Sequence, residues 1–221
     1  MRLQASDGTY CIDSTEVTNT QYQAFLTSGV MPQSLALPPG CSGQTDFQPR
    51  DSTGSVVQFG PGQELFPVNN VSWCDAYAFC AWAGKRLCGQ IGGGPLAPGQ
   101  YEWNAAQSQW YNACSKGGTL LYPYGNTYNQ MTCGGGGGTA SPLENVAFRP
   151  GCVGGYPGIH DLSGNVWEWA DVCPGNLPTD MCHVYGGSFD GAPGDLACTG
   201  WRPWKRTTGA NNIGFRCCED L

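Results

Sequence analysis

Thirteen cysteines, at positions 11, 41, 74, 80, 88, 114, 133, 152, 173, 182, 198, 217 and 218, constrain this 221-residue chain more than any other feature. So high a thiol content means either bound metal or disulfides. No Cys-x-x-Cys pair occurs and the only histidines are His160 and His183, so the close-spaced ligand sets of structural zinc are missing. Disulfides are the expected use, and they imply an extracytoplasmic setting: a periplasm, a cell surface or the exterior. The odd number leaves at least one thiol unpaired within the chain, which offers a route to self-assembly. Cys74 and Cys80 fall on one expected helix, about 600° apart around its axis, so they face different ways and do not bond each other. A bond between the neighbours Cys217 and Cys218 would close a strained ring. Each is expected to reach a distant partner, with a redox-active vicinal pair as the alternative.

The rest of the composition points the same way. Thirty-four glycines and 16 prolines with only 12% charged residues describe a loop-rich domain with a minority of helix. The length suffices for one sizeable domain over residues 1–221, and no linker or internal repeat divides it. Net charge is −7, which opposes attraction to phosphate backbones, so nucleic acid is not an expected partner. No run approaches the ~20 apolar residues of a membrane span. Residues 1–6 lack the apolar core of a signal peptide, as expected for a mature domain.

Two helices announce themselves through capping boxes, in which a hydroxyl and an acidic or amide side chain satisfy free N–H groups. Thr18 with Gln21 opens a run carrying Tyr22, Phe25 and Leu26, closed by Gly29. Ser72 with Asp75 opens the apolar run from Trp73 to Ala83, stopped by Gly84. A third helix is expected around 102–113. Beyond about residue 114 short aromatic segments bounded by turns read as strands and loops. Gly134 to Gly138, without the lysine and helix of a phosphate loop, reads as a flexible surface loop.

The segment from Gly158 to Trp169 packs glycines, acidic residues and two tryptophans into a non-helical run. Glycines let carbonyl oxygens turn toward a common point, and Asp161 or Glu168 adds the charge a hard cation needs, so calcium is the natural ligand. The plainer alternative is a turn feeding a strand, with Val166 and Glu168 on one face and Trp167 and Trp169 on the other.

Nine blocks in order carry a resemblance to a known family. They are Tyr10 to Asn19, Pro67 to Trp73, Ala83 to Leu87, Trp110 to Ala113, Gly117-Gly118, Tyr122 to Asn126, Gly164 to Trp169, Tyr185 to Phe189 and Ile213 to Cys217. The chain resembles the formylglycine-generating enzyme, or sulfatase-modifying factor, domain from end to end. The resemblance implies an α+β fold of the C-type-lectin-like kind, low in regular structure, with few helices and short antiparallel strands. It also implies a calcium loop, whose ligands fall on Asp161, Gly164, Val166 and Glu168; a second family site near Asn129 is not carried over. The family oxidises a substrate cysteine with oxygen and copper held by two cysteines, and soft thiolates suit Cu(I). Those two places fall on Gly191 and Leu196, so copper is not expected here.

No other catalytic set stands out. Ser188, His160 and Asp161 lack a nucleophile elbow, and Asp190 with Asp195 reads as well as a polar loop as an acid–base pair. A binding module is therefore the first expectation. Asp190, Asp195, Trp201, Arg202, Trp204, Lys205, Arg206 and Asn211 mix flat aromatic surface with hydrogen-bonding groups suited to a peptide, protein or glycan. The alternatives are an oxidase with rearranged thiols, requiring two free cysteines between Gly186 and Cys198, and a structural subunit of a surface layer or fibre.

Overall fold

A computed structural model describes residues 1–99, 102–136 and 141–221. Both capping boxes form. Thr18 accepts from the Gln21 amide at the start of α1 (Asn19–Thr27), and Ser72 accepts from the Asp75 amide at the start of α2 (Trp73–Trp82). Gly84 follows α2 at φ 73°, the left-handed conformation that ends the helix. The third helix, α3 (Gln109–Ser115), starts later than the expected 102–113. Ser108 caps it by accepting from the Tyr111 amide, a start signal hidden among the polar residues before it.

Among the described residues, eight short strands make two four-stranded sheets. β1 (Arg2–Ala5), β2 (Gly8–Ile12), β3 (Arg86–Leu87) and β8 (Cys217–Asp220) form one, in the order β1-β2-β8-β3. β4 (Trp167–Trp169), β5 (Met181–Tyr185), β6 (Trp201–Lys205) and β7 (Ile213–Phe215) form the other, in the order β6-β5-β4-β7. Pairing is antiparallel except for β4 with β7, which run parallel. Strand β4 does not alternate between core and solvent as its pattern suggested: Trp167, Glu168 and Trp169 are all buried. The cause is that the second sheet is covered on both sides at β4, though not at its exposed edge strand β6. Trp167 and Trp169 join a core with α1 and α2, and the Glu168 side faces a second core built on Tyr10, Trp110, Ile159 and Tyr185.

Twelve cysteines form six disulfides: 41–74, 80–217, 88–218, 114–198, 133–152 and 173–182. Cys74 and Cys80 do bond elsewhere, and the neighbours Cys217 and Cys218 each reach a distant partner. Only Cys11, half-buried on β2, is free.

Candidate functional site

The 161–168 loop is held by backbone. Asp161, Gly164 and Asn165 all take positive φ, at 61°, 82° and 57°. Gly164 is required by close approach, because a β-carbon there would stand 2.5 Å from the Gly134 carbonyl oxygen. The Asn165 amide donates to that same carbonyl at 2.8 Å. Gly134, Gly135 and Gly136 are therefore buried packing elements, not a surface loop, while Gly137 and Gly138 lie outside the described residues.

Below this loop lies a buried charge cluster. Glu168 accepts from Arg216 twice, Nη2 to Oε1 and Nε to Oε2, both at 2.7 Å, and from Trp110 Nε1 at 2.8 Å. Arg216 is itself fully buried and also donates to the carbonyls of His160 and Asp13. Asp161 Oδ2 accepts from the Ala147 amide at 2.5 Å. Glu16 is fully buried and neither of its carboxylate oxygens has a hydrogen-bond partner among the described residues. Burial, and then the charges of Asp161 and Glu168, push its carboxyl well above the usual range; burial raises Asp161 as well. The charges of Glu168, Glu16 and Asp161 all act on the buried Arg216, and Arg149, itself paired with Glu144, also feels Asp161. The carboxylates outnumber the guanidinium groups, an excess that a buried site relieves by holding protons or a cation. All donors here are oxygens, which fits a hard cation such as calcium and not a soft metal. Among the described residues no three acidic, histidine or cysteine side chains form a ready cage, so carbonyl oxygens have to complete any such set. Glu16 and Arg216 escaped the sequence reading although both lie in the blocks that carry the resemblance, because their pairing spans most of the chain.

The places implied for the copper thiolates hold no sulfur. Gly191 donates its amide to the Ser188 carbonyl at 2.8 Å. Leu196 is buried, and β-carbons on Gly135 or Gly187 would fall 2.3 and 2.7 Å from its methyls. Tyr122, Tyr124 and Tyr128 pack beside it, with ring centroids 5.5 and 5.8 Å from that of Tyr122. Cys198 is bonded to Cys114 and Cys182 to Cys173, so the two free cysteines that a rearranged oxidase requires are absent. Ser188 donates to Asp190 at 2.6 Å, and Asn212 donates to the same carboxylate at 3.1 Å. Asp195 accepts from Arg202 at 2.8 Å and from the Ala192 amide at 3.1 Å. These bonds give both carboxylates structural roles.

The residues expected to form one ligand face divide. β6 is an exposed edge strand, and Trp201 and Trp204 remain 43% and 36% accessible. Three positions apart on a strand, they point to opposite faces. Trp201 stacks on His183 at 4.3 Å, on the side of Tyr185. Arg202 and Trp204 lie on the other side, where Arg202 covers the Trp167 ring at 5.4 Å. Lys205 and Asn211 are exposed. Arg206 is not on the surface: it is buried, 4.8 Å over the Trp73 ring, donating to the Gly175 carbonyl and the Cys182 sulfur. Its position just past the strand end turns it inward.

Comparison with known proteins agrees with this geometry. The inactive C-alpha-formylglycine-generating enzyme 2 of Bos taurus is 32% identical over 180 residues, covering 72% of this chain and 54% of that protein. The formylglycine-generating enzyme of Bos taurus is 31% identical over 183 residues, covering 70% of this chain and 44% of that one. The chain thus spans about half the length of these relatives. The crystal structure of CarF superposes with a TM-score of 0.62 at 22% identity, over 96% of this chain and 87% of CarF, which shows a shared fold. The model of the sulfatase-modifying factor enzyme 1-like domain matches residues 5–221, and the chain belongs to that family.

Proposed function

We propose that this chain is an extracytoplasmic binding module of its family, stapled by disulfides, stabilised by calcium and inactive as a formylglycine generator. The observation that carries this proposal is Leu196, an apolar side chain buried at the place where the family resemblance puts a metal-binding thiolate. Similarity to a relative named as inactive supports it. Six disulfides support an oxidising compartment, and no helix among the described residues is long and apolar enough to cross a membrane.

The face formed by Asp190, Asp195, Arg202, Trp204 and Asn211 suits a peptide or protein segment, since β6 is an edge strand beside polar groups and an exposed indole. Selection of a displayed random-peptide library on the immobilised chain tests this. Enriched peptides are expected to lose about tenfold in affinity on Trp204→Ala or Arg202→Ala. Failure to enrich, or peptides indifferent to both substitutions, would sink it.

Calcium would be held by the carboxylates of Asp161 and Glu168 and the carbonyls of Gly164 and Val166, where it would offset the excess negative charge. The melting temperature is expected to rise with calcium over chelator, and Asp161→Ala to abolish that rise. An unchanged melt with chelator removes calcium from the proposal and leaves the binding face standing.

A further inference from the structure

We propose a second site, distinct from the Arg202–Trp204 face, that binds a neutral oligosaccharide. An open groove of about 570 Å³ runs between α3, the β1–β2 turn and the segment from Trp103 to Ala106. Its principal side chains are Gln4, Trp103, Asn104, Tyr111, Asn112 and Tyr156, and no lining residue is charged. In a chain of net charge −7 with acidic residues elsewhere on its surface, an uncharged concave patch disfavours ionic ligands, which would be desolvated without a counter-charge.

What the groove does offer is flat aromatic surface beside amides and hydroxyls. Trp103 stays 37% accessible although two rings fix it, Tyr111 at 5.7 Å and Tyr185 at 5.5 Å, both edge to face. A fixed, exposed indole is a preorganised platform with little ordering cost on binding. Sugar rings present C–H-rich faces that stack on such platforms, and their hydroxyls pair with neutral amides. Asn104 accepts from the Ala106 amide through Oδ1, and its Nδ2 makes no bond among the described residues. Asn112 is held by Tyr10 and Tyr156 hydroxyls and by the Ala105 carbonyl, which keeps the groove floor rigid. Tyr185 also lies directly across the strand pair from Trp201, the second exposed indole on this side of the sheet. Two platforms on one buried tyrosine suit a ligand several rings long. A proline-rich peptide also docks on aromatic grooves, but those grooves are mostly apolar, and here amide and hydroxyl groups outnumber the rings.

The test titrates the protein with cellohexaose, maltohexaose and chitohexaose, read by calorimetry and tryptophan fluorescence, with a decaproline peptide in parallel. Saturable binding of at least one hexasaccharide is expected. Trp103→Ala and Asn104→Ala should each weaken it about tenfold with circular dichroism unchanged, while Met131→Ala on a remote exposed side chain leaves it intact. If Trp103→Ala unfolds, Asn104→Ala and Tyr111→Phe carry the comparison. No saturation with any of the three sugars, sugar binding indifferent to these groove variants, or binding of decaproline in place of sugar overturns the proposal. None of these outcomes depends on the peptide face, whose variants lie on the opposite side of β6.

Discussion

Leu196 and Gly135 meet so closely that a β-carbon on residue 135 would stand 2.3 Å from a Leu196 methyl. The place expected for a metal-binding sulfur is therefore sealed from two directions, by the leucine and by the glycine run that crosses it. Gly135→Ala should cost about 1–3 kcal/mol through overpacking, measured by urea unfolding. A neutral result would mean that the run yields freely and the seal is loose.

Arg216 is the one cation hydrogen-bonded to Glu168 among the described residues, and burial, joined by the charges of Asp161 and Glu168, raises the affinity of Glu16 for protons. Arg216→Ala leaves these carboxylates buried without it and should destabilise by about 3–5 kcal/mol. Adding Glu168→Gln to Arg216→Ala should recover part of that loss. A double-mutant cycle checks it, and strict additivity of the two single costs would refute the coupling.

Acidification should stabilise this protein over a defined window. Burial pushes Asp171 up to about 6, with Arg86 and Arg206 opposing, and burial does the same to Asp75 against its hydrogen bonds from Ser72 and Gln44. A carboxyl raised in the folded state favours folding most when protonated, below its unfolded value near about 4, and that contribution is lost as pH rises through about 6. The melting temperature should be higher at pH 5 than at pH 7, and Asp171→Asn should shrink the difference. Equal differences in the variant and the parent would show that Asp171 does not titrate in this range.

Thiol mapping on denatured, unreduced protein should label Cys11 alone. One thiol on a strand cannot supply the two-sulfur ligand set that Cu(I) chemistry in this family needs. Cys11→Ser should remove both the label and any reductant-sensitive dimer. Labelling at Cys198 or Cys182 would reopen the oxidase alternative.

Much of this fold is legible in the chain because its signals are local. A hydroxyl three residues before Gln21 or Asp75 specifies a helix start through contacts within one turn, and both starts form as expected. The same logic fails at Ser108, whose cap has no acidic or amide partner three residues on to announce it. Long-range facts are harder. Nothing near Gly134 says that Gly164 needs its carbonyl, so a buried crossing reads as a loose loop. Alternation along β4 identifies two faces correctly but cannot tell that both are covered. For the expected ligand face, composition grouped Trp201 with Trp204, whereas the period of two separates them, and Arg206 turns inward just beyond the strand that was expected to display it.

The two adjacent cysteines of β8 give the molecule an unusual mechanical character. Cys217 belongs to the core that contains α1 and α2, while Cys218 belongs to the core around Tyr10 and Trp110, and they bond across 137 and 130 residues of chain. One peptide unit thus rivets both halves of the interior to a single strand. Tension applied near residue 221 would meet covalent bonds within a few residues instead of peeling hydrogen bonds one by one, and neither half could be drawn out while the other stayed in place. A protein tethered by that end could bear load in its folded form until a reductant, not a force, released it.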